Sequence, residues 1–436
     1  MAHETTALAH YAASLRPESI PVDVSLRARD MVIDTVGAML CGSAKPWSAI
    51  VLRRVAQSGA GGSAVMAPGM AALQPGAAAL VNGCLAHAFE MDCLTHPSAG
   101  SHPGATLVPA GLAMAQHVGA SGTQLLAALV AGVEVLNRIG RAGAMRPPFH
   151  MPGLIGPFGS AVTAGYLLGL NATAMAHALG LAGSMGAGLL EFTTAGRGAM
   201  VKRLHLGRSA ESGVLAALLA ADGFTGPDTA LEGGLGYLAA ICKAPDATAL
   251  TRALGTVWET RTVSFKRFAC HISAHLPVQL LLDLRAEHGF GAADITGIDL
   301  TGPHGMAHRN NIPAPGDLMM AQYSVNFSLA LSLVRDPCDP ASFDETALDD
   351  PEILRLCGLV RISEGNGVAA VVHLIDGRVI TGRISSYPGM PDAPLDETQL
   401  LMKFRLSTGN KPHLTRLGER LLAVGTAASL EWIAAQ

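Results

Sequence analysis

Between residues 87 and 109 the chain reads HAFEMDCLTHPSAGSHPGATLVP, which places Glu90, Asp92, Thr95, His96 and His102 within thirteen residues. Pro97, Gly100, Pro103 and Gly104 break this stretch, and apolar small-residue runs flank it on both sides. The pattern predicts a polar loop held between two buried helices. Carboxylates and imidazoles placed there are desolvated, which is costly unless they pair or carry out proton transfer. A hydrogen-bonded helix corner would account for one such stretch alone, but three further polar clusters have the same character.

Arg141, Arg146 and His150 sit on a Pro/Gly-rich loop, RAGAMRPPFHMPG, where the flanking prolines would hold the imidazole in a rigid turn. Lys202, Arg203, His205 and Arg208 bunch ahead of a helix expected to start near Ser209. Cations at a helix start, with its free N–H groups, would make an anion pocket. In SFKRFACHISAHLP, Lys266 and Arg267 precede His271 and His275, an i,i+4 pair expected to share one helix face. That pair is not a zinc motif, because Ile272 stands where HExxH requires glutamate. GRSAE at 207–211 misses the GxSxG elbow by its last residue and follows no strand, which argues against a serine hydrolase. The glycine-rich 58–69 has neither the P-loop nor the GxGxxG spacing and reads as a short strand between loops.

The elements that must position these groups are mostly helical. Of 436 residues, 49% are hydrophobic and 50 are glycine, which suits closely packed small-residue helices. Only 15% are charged, against about 25% in an average domain, which points to surface buried in an oligomer. A net charge of −4 with no basic stripe argues against nucleic acid. Seven scattered cysteines without a CxxC pair exclude zinc-ribbon, thioredoxin and iron–sulfur readings and fit a reducing compartment. With no signal peptide and no uninterrupted apolar span, a soluble cytoplasmic protein is expected.

After about residue 290 the pattern changes. Residues 297–303 and 361–385 read as strands, with Asp376-Gly377 as a hairpin turn, and 317–334 and 341–360 as helices. The expected architecture is mainly α. A large helical domain (1–268) is followed by a smaller α/β lid domain (269–402) and a C-terminal helix (403–436) that rejoins the first.

Taken together, the carboxylates, imidazoles and cations suit a small polyanionic substrate. Lys and Arg would neutralise its carboxylates while a carboxylate or His moves a proton at the adjacent carbon. The enediolate so formed needs cationic stabilisation in a dry pocket. The residues alone lead to carbanion or elimination chemistry on a di- or tricarboxylate, with no cofactor or metal required.

At HAFEMDCLTHPSAGSHPGATLVPAGLA, FHMPGLIGPFGSAV, VKRLHLGRSAESGVLAALLAADGFTGP with its trailing LEGGLGY, and SFKRFACHISAH, the sequence resembles the MmgE/PrpD family over nearly its whole length. That family includes 2-methylcitrate dehydratase, cis-aconitate decarboxylase and iminodisuccinate epimerase. The resemblance implies a homodimer with a metal-free active site in the cleft between a helical domain and an α/β lid. It implies Asp92, His102, His150, Lys202 and Lys266 as catalytic groups. Glu90, Thr95, His96, His205, Arg208, Arg267, His271, His275 and Tyr323 would then surround the substrate. The family's acidic DFDDTH-like run is EMDCLTH here, so either Glu90 or Asp92 could hold the acid/base place, and Tyr323 or Phe327 the place of a later tyrosine. Lys202, Lys266 and Arg208 would bind carboxylates, with His102 and Asp92 on one face of the substrate carbon and His150 on the other. The FKRF-x2-H-x3-H spelling leans toward the decarboxylase branch. Dehydration, epimerisation of a dicarboxylate such as iminodisuccinate, and non-catalytic carboxylate binding are the alternatives.

Overall fold

Ala-, Gly- and Leu-rich stretches with proline at their first turns and capping residues at their ends fold into a layered set of helices. A computed structural model describes residues 3–146, 149–193 and 198–435. Helices Val22–Ser43, Pro75–Ala86, Pro103–Val118, Gly122–Arg141, Met151–Leu167 and Val201–Ala221 pack around one apolar core. Their ends follow local chemistry. Ser121 and Gln124 form a capping box at one start, and Gly119 in the left-handed region ends the helix before it.

Close backbone approach sets one geometry that matters for function. A Cβ on Gly83 would lie 2.8 Å from the Gly207 Cα, and one on Gly207 would lie 2.4 Å from the Leu80 carbonyl oxygen. Only glycine at both positions lets Pro75–Ala86 and Val201–Ala221 touch, which brings Lys202 within reach of the loop that follows residue 86. Helix Val201–Ala221 starts eight residues before the expected Ser209, so the basic cluster lies on its first turns and not ahead of them.

The C-terminal part is built on a four-stranded sheet in the order Val360–Glu364, Ile295–Gly302, Val368–Leu374, Val379–Ile384. The first pair is parallel and the other two antiparallel, the last joined by the Asp376-Gly377 turn. Val368–Leu374 alternates buried and half-buried residues, the period-two signature of a strand with one packed face. Helix His275–His288 covers that face, and a second apolar cluster fills the space between.

Two expected helices are broken. Residues 317–334 form Leu318–Tyr323 and Val325–Val334, because Ser324 takes an extended backbone and caps the second with its hydroxyl. Residues 341–360 split at Asp344 and Asp350, whose carboxylates cap Glu345–Leu348 and Pro351–Leu359. The tail is likewise two helices, Glu397–Ser407 and Pro412–Leu421, separated at Gly409 and Asn410, both with positive φ. Among the described residues no helix is long and apolar enough to cross a membrane.

Candidate active site

The loop after Pro75–Ala86 runs along the seam between the two apolar cores. Ala88, Phe89 and Met91 enter the C-terminal core, while Cys93 enters the helical one. This leaves Glu90 and Asp92, both fully buried, aimed into polar surroundings. Glu90 holds φ of 55°, a conformation that non-glycine residues adopt only where their surroundings enforce it. Leu94 and Thr95 pair antiparallel with Ser264 and Val263, which carries Lys266 alongside Glu90.

Each of the two carboxylates has two partners, and the partners differ. Glu90 receives the ammonium groups of Lys202 and of Lys266, the latter at 2.8 Å. Burial alone would raise the Glu90 carboxyl, but the two lysines outweigh it and hold the group well below its ordinary value. The lysines are not equivalent. Burial lowers Lys202 and Glu90 only partly restores it, whereas for Lys266 the carboxylates outweigh burial and raise it.

Asp92 accepts from His87 Nδ1 at 2.9 Å and from His102 Nδ1 at 2.7 Å. Burial again pushes the carboxyl up and the two imidazoles overcome it, so Asp92 stays ionised. His102, bound to Asp92 through Nδ1, lines a cavity of about 150 Å³. His87 is buried completely, its Nε2 without a partner among the described residues, and burial pulls its imidazole down to about 3, so it is neutral.

His150 directly precedes helix Met151–Leu167, lines the same cavity, and its Nδ1 lies 3.0 Å from His205 Nδ1, with Phe192 edge-on to both rings. Burial and then nearby Lys202 keep His150 neutral. From the C-terminal side come His271 and Tyr323, their rings tilted by 31° with centroids 4.9 Å apart. His271 Nδ1 accepts from the Ser273 N–H, which places its proton on Nε2, and burial draws the ring down to about 3. Tyr323 lies under the Lys202 ammonium at 4.7 Å, and burial raises its hydroxyl well above the ordinary value. Phe327 is buried against Phe343 in the C-terminal core, so of the two aromatic candidates only Tyr323 borders the cavity.

Several expected site residues lie elsewhere. His96 is exposed and is tied through its backbone N–H to the Thr262 carbonyl. Thr95 is buried but bonds Ser101 and the Ala99 N–H, which shapes the loop. Arg208 points outward and pairs with Glu211 one turn along the helix. Arg267 turns to Gln279. His271 and His275 do not share a helix face: His271 caps a short 3-10 turn and His275 opens the next helix. There, His275 Nε2 receives the Phe268 N–H and the ring packs against Phe268 and Tyr387. Pro147 and Pro148, expected to stiffen the His150 turn, lie outside the described residues. Conversely, His87 and Arg309 belong to the site and carried no assignment in the sequence. His87 had a usable signal, five residues before Asp92 at a helix end. Arg309, exposed at the cavity and without a side-chain partner among the described residues, had none.

Among the described residues, three cations (Lys202, Lys266, Arg309) and one carboxylate, Glu90, line a small cavity beside an Asp92–His102 dyad. His87, Asp92 and His102 offer ligand atoms within 4.8 Å of one another and could in principle hold a metal. The neighbouring ammonium groups oppose a cation there, and both Asp92 oxygens are already committed to imidazole N–H groups. The profile of the MmgE/PrpD N-terminal domain matches residues 6–250, and that of the MmgE/PrpD C-terminal domain matches residues 268–416. The chain belongs to the MmgE/PrpD family. Its relatives include cis-aconitate decarboxylase of Aspergillus terreus, 27% identical over 451 residues that cover 95% of this chain and 91% of the fungal protein. The human cis-aconitate decarboxylase is 27% identical over 410 residues, covering 87% and 82% of the two chains. A cis-aconitate decarboxylase-like protein of Aspergillus oryzae is 27% identical over 465 residues, covering 98% and 95%. Within this family member, the seam between the parts matched by the two profiles is where the cavity lies.

Proposed function

We propose that this MmgE/PrpD protein is a lyase that decarboxylates a small unsaturated tricarboxylate of the cis-aconitate kind. The observation that carries this reading is the surplus of cations around a small cavity whose edge holds a histidine backed by a buried carboxylate. The surplus charge matches a polyanion, and relatives named for the same reaction support the choice among family chemistries.

In this scheme Lys266 and Arg309 hold two substrate carboxylates, with the His271 Nε2–H donating to one of them. The bond to the third carboxylate breaks, CO2 leaves, and its electron pair passes into conjugation with the double bond. His102, protonated at Nε2 and stabilised as imidazolium by Asp92, delivers a proton to the far carbon of that system. Glu90 keeps Lys202 and Lys266 at fixed positions, so their field is organised before substrate arrives. The carbanionic charge is spread over carboxylates already paired with cations, so no further electron sink is needed and the scheme uses no cofactor. We also propose a homodimer. It is supported by the low charged fraction and by Val201, Leu204 and Leu215, exposed on one helix.

Proton NMR of the purified protein in D2O with cis-aconitate, 2-methylcitrate, citrate and iminodisuccinate, each alone, tests the reading. Loss of CO2 from cis-aconitate with one deuteron in the product is expected. Loss of water from a hydroxy acid would replace decarboxylation by dehydration. Exchange at a carbon without loss would replace it by epimerisation, and four inert acids would remove the lyase assignment.

A further inference from the structure

Away from the cavity, the turn after strand Ile295–Gly302 brings together a second set of nitrogen and oxygen donors. His304 and His308 are four residues apart, with ring centroids 4.4 Å apart. His304 Nδ1 and His308 Nε2 each lie 3.0 Å from the same atom, Glu364 Oε2. Glu364 ends strand Val360–Glu364 and is in register with Gly302, while Gly365 N–H donates to the Gly302 carbonyl. The sheet therefore fixes the carboxylate against the turn that starts at Pro303. Buried Met306 and Asn310 pin the turn from inside, and the three donor side chains stay open to solvent.

Ligands held at about 2.0–2.2 Å in one tetrahedral or octahedral sphere stand roughly 3.0–3.4 Å from each other. The spacing of the Glu364 oxygen from each imidazole nitrogen falls in that range. We propose that His304, His308 and Glu364 form a surface site for a divalent transition metal of the zinc class, with water completing the coordination. Two imidazoles and one carboxylate favour Zn2+, Ni2+ or Cu2+ over Mg2+ or Ca2+. Binding requires both nitrogens to be free of protons, so it weakens as pH falls. An ion there cross-links the turn to the strand end. The same turn continues into Arg309 at the cavity and into Asn310, whose side-chain N–H donates to the Tyr323 carbonyl.

The test uses the full chain, freed of divalent ions with a chelator that is then removed. Zn2+ is titrated by calorimetry, and Co2+ by its visible absorption, into wild type, the His304→Ala/His308→Ala double variant and Glu364→Gln. The expected result is one Zn2+ equivalent in wild type, at least tenfold weaker in Glu364→Gln and lost in the double variant. Zn2+, unlike Mg2+, should raise the unfolding midpoint of wild type, and the metal-free double variant should keep wild-type turnover. His102→Ala should retain the equivalent, which separates this site from the buried imidazoles of the cavity. Unchanged stoichiometry and affinity in the double variant, loss of the equivalent in His102→Ala, or no saturable binding by wild type would each overturn the proposal.

Discussion

The two walls of the cavity are built differently. On the helical side Glu90, Asp92, His102, His150 and Lys202 are mostly buried, and each is held by a second polar group of the same wall or by Lys266. On the C-terminal side the contributions are a tilted His271–Tyr323 ring pair and an exposed Arg309 without a side-chain partner among the described residues. One wall holds its charged groups in mutual contacts, and the other presents a guanidinium to the cavity. Under the proposed function, this difference would separate proton transfer from recognition, with the first set rigidly and the second left adjustable.

Breaking the charge triangle should have the largest effect. Glu90→Gln leaves Lys202 and Lys266 facing each other without a counterion, and the cost expected from chemical denaturation is about 3–5 kcal/mol. The chemical wall is sharpened by His102→Gln, for which turnover should fall by roughly a hundredfold or more while the unfolding midpoint stays put. Arg309→Ala tests the other wall. KM for a polycarboxylate should rise by about tenfold with kcat little changed and stability unaltered, since the side chain is exposed. An equal fall in kcat would move Arg309 into the chemical step.

Acid should reveal the imidazoles of both walls. His87 and His271 titrate near 3 when folded, below the ordinary 6.5, because burial disfavours the cation. Between those values the unfolded chain binds more protons. Their stabilisation is complete above about pH 6.5 and is lost as pH falls toward 3, at about 1.4 kcal/mol per pH unit for each ring. Glu90 and Asp92 add to this loss only below the ordinary carboxylate range. Urea midpoints measured from pH 7.5 to 4.5 should therefore decline below pH 6.5, and a flat profile would show that the rings are charged in the native state.

Much of this arrangement was legible in the sequence, because helix signals and clustered polar residues are local. The loop between two apolar runs, the mainly helical class and the late sheet with its Asp376-Gly377 turn all follow from spacing within a few residues. What could not be read was long-range direction. Lys202 and Arg208 look equivalent in sequence, yet two turns of helix aim one at Glu90 and the other at solvent. His271 and His275 have zinc-like spacing, but the 3-10 turn between them sends one ring to the cavity and the other to the Phe268 backbone. Arg309 lies in a stretch with no motif and reaches the cavity only through the fold of the sheet. The early onset of Val201–Ala221 was hidden because Gly198 and Met200 carry no capping side chain.

In the proposed reaction Asp92 acts through His102 and not as a structural anion. Steady-state kinetics of Asp92→Asn with cis-aconitate, alongside the thermal midpoint, test it most directly. The expected result is a fall in kcat of roughly a hundredfold or more with KM within a few-fold and a folded protein, because the amide cannot stabilise an imidazolium. A variant that stays folded and keeps wild-type kcat would contradict it.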